Sequence, residues 1–318
     1  MESPHPDWSV HTGSAMVSLG THRLSVTVNG PPRSSQDPLV IVLPGAGDVA
    51  SSYTALSPVV SRFARILVYD RAGLGRSEPG PQSPTAVSAA SELRSLLRAM
   101  SLHPPFLLVG HSYGAIVARE FLHLHGGDVA GMVLVDGSTE RQCDYFQIPD
   151  PNINAVLGGL KVARVTGLRD ESKLSRDEWR ARAIDYSRGV VAAQAEADSF
   201  VEVCQTLRAK EQFQTRAMGD KPLSVIRCNG ARDYERIYQA GVAVGNGTIQ
   251  QQRAFRDLLD QWETNDYQLK AEQLQLSSKT HFVYQPECGH NIHLVRPEVV
   301  AEEIQWVLQQ LQTEALKL

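Results

Sequence analysis

VGHSYG, residues 109–114, is the stretch on which the fold of this chain turns. It joins an apolar run, FLLV at 106–109, directly to a helix-favouring stretch from Ser112 to His125, which stops at Gly126 and Gly127 where a helix C-terminus is expected. A serine held in so sharp a strand-to-helix turn projects its hydroxyl outward. Gly110 and Gly114 remove side chains that would collide with the neighbouring strand and helix. The helix N-terminus adds unpaired N–H groups that face any negative charge developing there. These features predict a nucleophilic role for Ser112 in preference to a plain helix cap.

Outward from this turn, LVIVL at 39–43, ILVY at 66–69 and MVLV at 132–135 are apolar throughout instead of alternating, as strands buried on both faces of a parallel sheet are. Helix candidates at 50–61 and 85–100 lie between them, which is the alternation of an α/β domain. Ahead of them, 14–19 and 23–29 alternate around a turn at Gly20 and predict an antiparallel hairpin at one sheet edge. The pattern breaks after Asp136. From 138 to 221 there are helical signals and no strand, with Ser175 and Glu178 spaced as a capping box. Strand signals return at 223–227 and 281–284, separated by a polar helical segment around 250–276. Pro297 then opens a final helix with Val300, Ile304, Val307, Leu308 and Leu311 on one face. The expected organisation is a core of residues 1–137 and 222–318, interrupted by a helical cap at 138–221.

With 42% hydrophobic residues among 318, the chain has enough apolar material for one large domain or a core with a substantial insertion. Its 31 basic and 35 acidic residues are scattered without long like-charged runs, so the composition carries no footprint for nucleic acid or an anionic membrane, and a small molecule is the expected partner. Cys143, Cys204, Cys228 and Cys288 are widely spaced with no CxxC pair, against both a zinc site and a disulfide framework. Residues 1–13 lack the basic flank and apolar stretch of a secretory leader, and no apolar run is long enough to span a bilayer; a cytoplasmic protein is expected. Neither a metal-ligand set nor a convincing dinucleotide fingerprint is visible, so no cofactor is implied.

Four segments, in order, resemble the α/β-hydrolase superfamily: LPGAG (43–47) its HG loop, YDRAGLGRS (69–77) its DRxGxGxS segment, GHSYG its nucleophile elbow, and ECGHNIHLVRPEVV (287–300) its closing GH segment. The resemblance extends over nearly the whole chain. It implies an eight-stranded, mostly parallel sheet flanked by helices, with a cap inserted after the sixth strand. A neutral serine hydroxyl needs a base, and that base an acid to hold its tautomer. His290, preceded by Gly289 and a strand, falls where the family base lies. For the acid, Asp233 in NGARDYE resembles the family's GxxD position after the seventh strand and keeps the chain order Ser, Asp, His. Asp136, in LVDGS at the end of the sixth strand where some members carry their acid, stands as the alternative. The implied oxyanion donors are the backbone amides of Ala46 and Tyr113, with Pro44 in place of the usual histidine. Asp70, Arg71 and Ser77 are read as stabilising the loop after the fourth strand. His111 is expected to point to the other side of the elbow, and His293 to pack or line the pocket.

The leading expectation is a carboxylic ester hydrolase, acting on an ester or lactone of a small apolar molecule through an acyl-enzyme on Ser112. Serine at the elbow disfavours the aspartate-nucleophile branches of the superfamily. Carbon–carbon bond and thioester hydrolysis use the same triad, and the fold also serves as a small-molecule receptor or lyase; the sequence leaves these open.

Overall fold

A computed structural model describes residues 6–315; the part of the leader reading that falls on residues 1–5 lies outside the described residues. Its sheet has eight strands: β1 (Gly13–Ser18), β2 (Arg23–Asn29), β3 (Leu39–Leu43), β4 (Ile66–Tyr69), β5 (Phe106–His111), β6 (Val129–Val135), β7 (Leu223–Cys228) and β8 (Thr280–Gln285). Their spatial order is β1-β2-β4-β3-β5-β6-β7-β8. The β1–β2 hairpin forms one edge and β2 meets β4 antiparallel, while every later pairing is parallel.

The unbroken apolar runs follow from burial on both faces. Leu39, Ile41 and Leu43 of β3, with Phe106 and Leu108 of β5, join one core with the helices Ala86–Ala99 and Tyr113–His125. Val40 and Val42, with Leu107 and Val109, face a second core with Val300, Ile304 and Val307 of the helix Pro297–Ala315. Since each strand residue is buried on one side or the other, polar alternation has no place to appear. β5 sits at the centre, with Leu43 of β3 opposite Gly110 and Val135 of β6 opposite His111. Its C-terminal end is therefore flanked by the ends of β3 and β6.

Between β6 and β7 the described chain is helical without a strand, and the Ser175–Glu178 capping box starts the helix Arg176–Arg188 as the spacing predicted. A second excursion lies between β7 and β8. The helices Gly230–Ala243 and Ile249–Glu272 pack with Phe146 and Val156 of the first excursion in a third apolar cluster containing Ile237, Phe255, Leu259 and Trp262. The polar segment expected around 250–276 is thus a helix with one buried stripe, and it covers the sheet beside the first excursion. No helix among the described residues is long and apolar enough to cross a membrane.

Candidate active site

Ser112 has φ +52° and ψ −120°, a conformation that costs an L-residue energy and that its surroundings impose. Its N–H donates to Val135 O at 3.1 Å, and its carbonyl accepts from Ala115 N and Ser138 N, each at 3.0 Å. A Cβ on Gly114 would lie 1.9 Å from Leu43 O, and one on Gly110 2.7 Å from Gly114 O, so both glycines are required by close backbone approach. The Ser112 side chain makes no capping hydrogen bond, which leaves its hydroxyl uncommitted to the helix it precedes.

The imidazole of His290 is held by Asp136. Nδ1 of His290 lies 2.5 Å from Asp136 Oδ2, and Asp136 Oδ1 accepts from Cys228 N at 3.1 Å. Burial pushes the Asp136 carboxyl up, but the Lys270 charge, the His290 contacts and the Cys228 amide outweigh it and hold the group well below the usual carboxylate range. An ionised carboxylate only accepts, so Nδ1 donates to it, and in the neutral imidazole the lone pair then lies on Nε2. Lys270, itself 4% exposed, lies 3.7 Å from Asp136 Oδ1 and donates to Gly137 O at 3.0 Å.

Asp233, preferred as the acid on the sequence, is not the carboxylate that this geometry brings to the imidazole. Asp233 lies in the first turn of the helix Gly230–Ala243, where its Oδ2 accepts the backbone N–H of His290 at 3.2 Å and does not meet the ring. The Asn229 side chain caps that helix by accepting from Arg232 N, starting it directly after β7 and carrying Asp233 a turn away. A Cβ on Gly289 would lie 2.0 Å from Asp233 Oδ2, so the carboxylate rests against the loop that carries His290. Asp233 anchors backbone; Asp136 orients the imidazole.

Ser112, Asp136 and His290 open on one cavity of about 410 Å³. Phe146, Ile153, Leu157, Tyr234, Trp262 and Leu258 supply apolar wall, drawn from both helical excursions. The LPGAG turn closes the other side of the elbow, since a Cβ on Gly45 would lie 3.4 Å from Ser112 Cβ. No hydrogen bond among the described residues engages the Ala46 amide. The Tyr113 amide opens a helix, where N–H groups lack intrahelical acceptors.

Asp70 and Ser77 do stabilise their loop: Asp70 accepts from Ala50 N and Arg76 N, and Ser77 Oγ donates to Asp70 O at 2.6 Å. Arg71 instead reaches the LPGAG turn, donating to Pro44 O at 2.7 Å and Gly45 O at 2.6 Å. His111 turns away from the cavity, with Nε2 3.0 Å from His290 O and Nδ1 3.1 Å from Tyr53 Oη. Burial, then the neighbouring His290, lower its pKa to about 4, so it is neutral and donates from Nε2 to the carbonyl. His293 is a packing residue, 1% exposed and stacked on Tyr53 with centroids 4.4 Å apart.

Donor atoms of Asp48, His111 and His293 come within 4.8 Å of one another, the one His/Asp grouping among the described residues with metal-like spacing. Asp48 Oδ2 and both ring nitrogens of His293 lack hydrogen-bond partners. Both His111 nitrogens are engaged, however, and ligation through either would break its link to Tyr53 or to the His290 backbone. The donor set fits a packed support for His290 better than a metal centre.

Residues 40–303 match the model of the alpha/beta hydrolase family. An "AB hydrolase superfamily protein" of Gibberella zeae is 30% identical over 299 residues, covering 90% of this chain and 91% of its own length. "Probable transporter efuK" of Hormonema carpetanum is 31% identical over 317 residues; these are 98% of this chain but 45% of that protein. Solved structures with the same fold include Cfl2 from Burkholderia cenocepacia, with a TM-score of 0.65, 15% identity and coverage of 93% of this chain and 95% of that one. Another is the esterase RhEst1 from Rhodococcus sp. ECU1013, with a TM-score of 0.57, 15% identity and coverage of 94% and 99%. With most of its length matched by the family model, and with the eight-stranded, mostly parallel sheet that the resemblance implied, this chain belongs to the α/β-hydrolase family.

Proposed function

We propose that this protein is a serine hydrolase that cleaves an ester or lactone of a small apolar molecule. The observation that carries the reading is the Asp136–His290 pair, which fixes the Nδ1–H tautomer of the neutral imidazole at the cavity that Ser112, itself uncapped, also lines. In this reading Ser112 Oγ attacks the substrate carbonyl while Nε2 of His290 takes its proton, and the tetrahedral oxygen gathers charge against the Ala46 and Tyr113 amides. The imidazolium then protonates the departing alkoxide, which in a lactone remains attached to the acyl group. Water, deprotonated by the same Nε2, attacks the acyl-enzyme and releases the acid and Ser112.

The apolar walls favour a small apolar substrate, and a serine at the elbow cannot form the alkyl-carboxylate intermediate of an aspartate nucleophile. Residues 138–221 act as the cap, with 230–272 completing the roof, and a cytoplasmic setting with a small molecule as partner agrees with the composition. A fluorophosphonate probe should label the wild type and fail on Ser112→Ala, while a p-nitrophenyl ester should be turned over many times per protein. A folded wild type that neither labels nor turns over would overturn the proposal.

A further inference from the structure

Glu196 belongs to the helix Val190–Asp198 of the first excursion, yet its carboxylate is 3% exposed and lies against the LPGAG turn. Its Oε1 accepts from Arg71 Nε at 2.6 Å; its Oε2 accepts from Arg71 Nη2 at 2.8 Å and from Gly47 N at 2.7 Å. Arg71 meanwhile donates to the carbonyls of Pro44 and Gly45. One side chain of the excursion thus fastens three residues of the turn, Gly47 directly and Pro44 and Gly45 through the guanidinium. The helix is seated on the same turn: a Cβ on Gly47, which has φ +61°, would lie 2.7 Å from Ala193 Cβ.

The consequence for the amide of Ala46 follows from peptide planarity. In a trans peptide the carbonyl of one residue and the N–H of the next point in opposite directions. The Gly45–Ala46 bond is not among the cis peptides, so drawing Gly45 O onto Arg71 turns the Ala46 N–H away from Arg71. The fork of the guanidinium fits the carboxylate in a two-bond geometry that resists rotation, and both side chains are buried.

We propose that Glu196 is a positioning residue: seated with its helix, it fixes Arg71 and Gly47 so that the Ala46 N–H is held toward Ser112 as an oxyanion donor. The proposal rests on the serine-hydrolase reading above. It makes the oxyanion hole dependent on the helix Val190–Asp198, so a cap movement that withdraws Glu196 also disarms the site.

The test compares wild type, Glu196→Gln and Glu196→Asp on a p-nitrophenyl ester and on a trifluoromethyl ketone, whose serine adduct places an oxyanion where the tetrahedral intermediate has one. Loss of one aligned donor predicts a kcat lower by about 100-fold in Glu196→Gln with KM within roughly threefold. Affinity for the ketone should weaken in step with kcat/KM, because both report the same oxygen. Glu196→Asp keeps the charge but is one methylene short, so it should fall between the two and guards against a glutamine variant that does not fold. Variants that lose melting temperature while kcat and ketone affinity stay at wild-type values would overturn the positioning role. Absence of fluorophosphonate labelling in the wild type would instead overturn the hydrolase reading itself.

Discussion

Asp136→Asn against Asp233→Asn is the perturbation that separates the two carboxylates near His290. Asp136 Oδ1 faces the Cys228 N–H and lies 3.7 Å from Lys270, both of which demand an acceptor there. An asparagine at 136 would keep its carbonyl oxygen on that side and turn its NH₂ toward Nδ1 of His290. The ring would then accept at Nδ1, its proton would move to Nε2, and the lone pair required by Ser112 would be gone. Loss of the correct tautomer in a serine triad costs about 10⁴ in kcat, roughly 5.5 kcal/mol at 1.36 kcal/mol per decade. Asp233 accepts only the His290 backbone N–H, at 3.2 Å, and an asparagine carbonyl can accept it too. Asp233→Asn should therefore lose less than about tenfold, the order of one neutral-for-charged hydrogen bond. Steady-state hydrolysis of a p-nitrophenyl ester, with melting temperature as a control for folding, gives both numbers. A dead Asp233→Asn beside an Asp136→Asn within tenfold of wild type would refute the assignment.

Lys270→Met keeps volume but leaves Asp136 and Asp266 without their shared buried cation, and stability to urea should fall by on the order of 3 kcal/mol. Acid unfolding of that variant should also begin at higher pH: Asp136, held low in the fold, contributes stability above the ordinary carboxylate range that is lost as pH falls, and removing Lys270 weakens the hold. His111 is held down to about 4 by burial and then by the neighbouring His290, and burial likewise puts His293 well below its ordinary range. A histidine depressed in the fold leaves stability intact above its unfolded pKa near 6.5, and stability is lost as pH falls from there through about 4. Melting temperature should accordingly decline across that window, with His111 alone accounting for on the order of 3 kcal/mol, and His111→Gln should flatten the decline; a profile level down to pH 4 would contradict it.

The elbow was legible in the sequence because its constraints are local. Steric demand at Gly110 and Gly114 and the strand-to-helix junction all fall within six residues, and unbroken apolar runs mark strands with two buried faces. The capping box at Ser175 and Pro297 at a helix start were legible for the same reason. Glu196 was not, because its helix inverts the usual pattern: Val191 is 85% exposed while Glu196 is 2% exposed. Hydrophobic periodicity there points the wrong way, and the distant partners Arg71 and Gly47, 125 and 149 residues away, explain the inversion. In the helix Ile249–Glu272 the buried positions 255, 259, 262, 266 and 269 do follow the helical period, but Asp266 occupies one of them and Lys270 lies beside the stripe. Charges in and next to a buried stripe read as a solvated face until the groups they neutralise are known.

That same helix bears on why the carboxylate that meets His290 follows β6. Parallel pairing of β6 with β7 brings both strand ends to the His290 loop, so topology and chain order admit a carboxylate from either. The local backbone separates them: Asp136 leaves its strand at φ +44° with its N–H on Ile226 O, which turns the side chain under the imidazole, while Asn229 begins a helix at once and carries Asp233 past it. A carboxylate buried at Asp136 still has to remain ionised to hold Nδ1–H, and burial opposes that. Lys270 supplies the opposing charge, and it comes from the helix between β7 and β8. The position of Asp136 and the presence of this second excursion are therefore linked: an ionised carboxylate so buried at the end of β6 calls for a cation, which the β7–β8 connection delivers. Lys270→Met should accordingly lower kcat as well as stability, and Lys270→Arg, which restores a cation, should recover part of both.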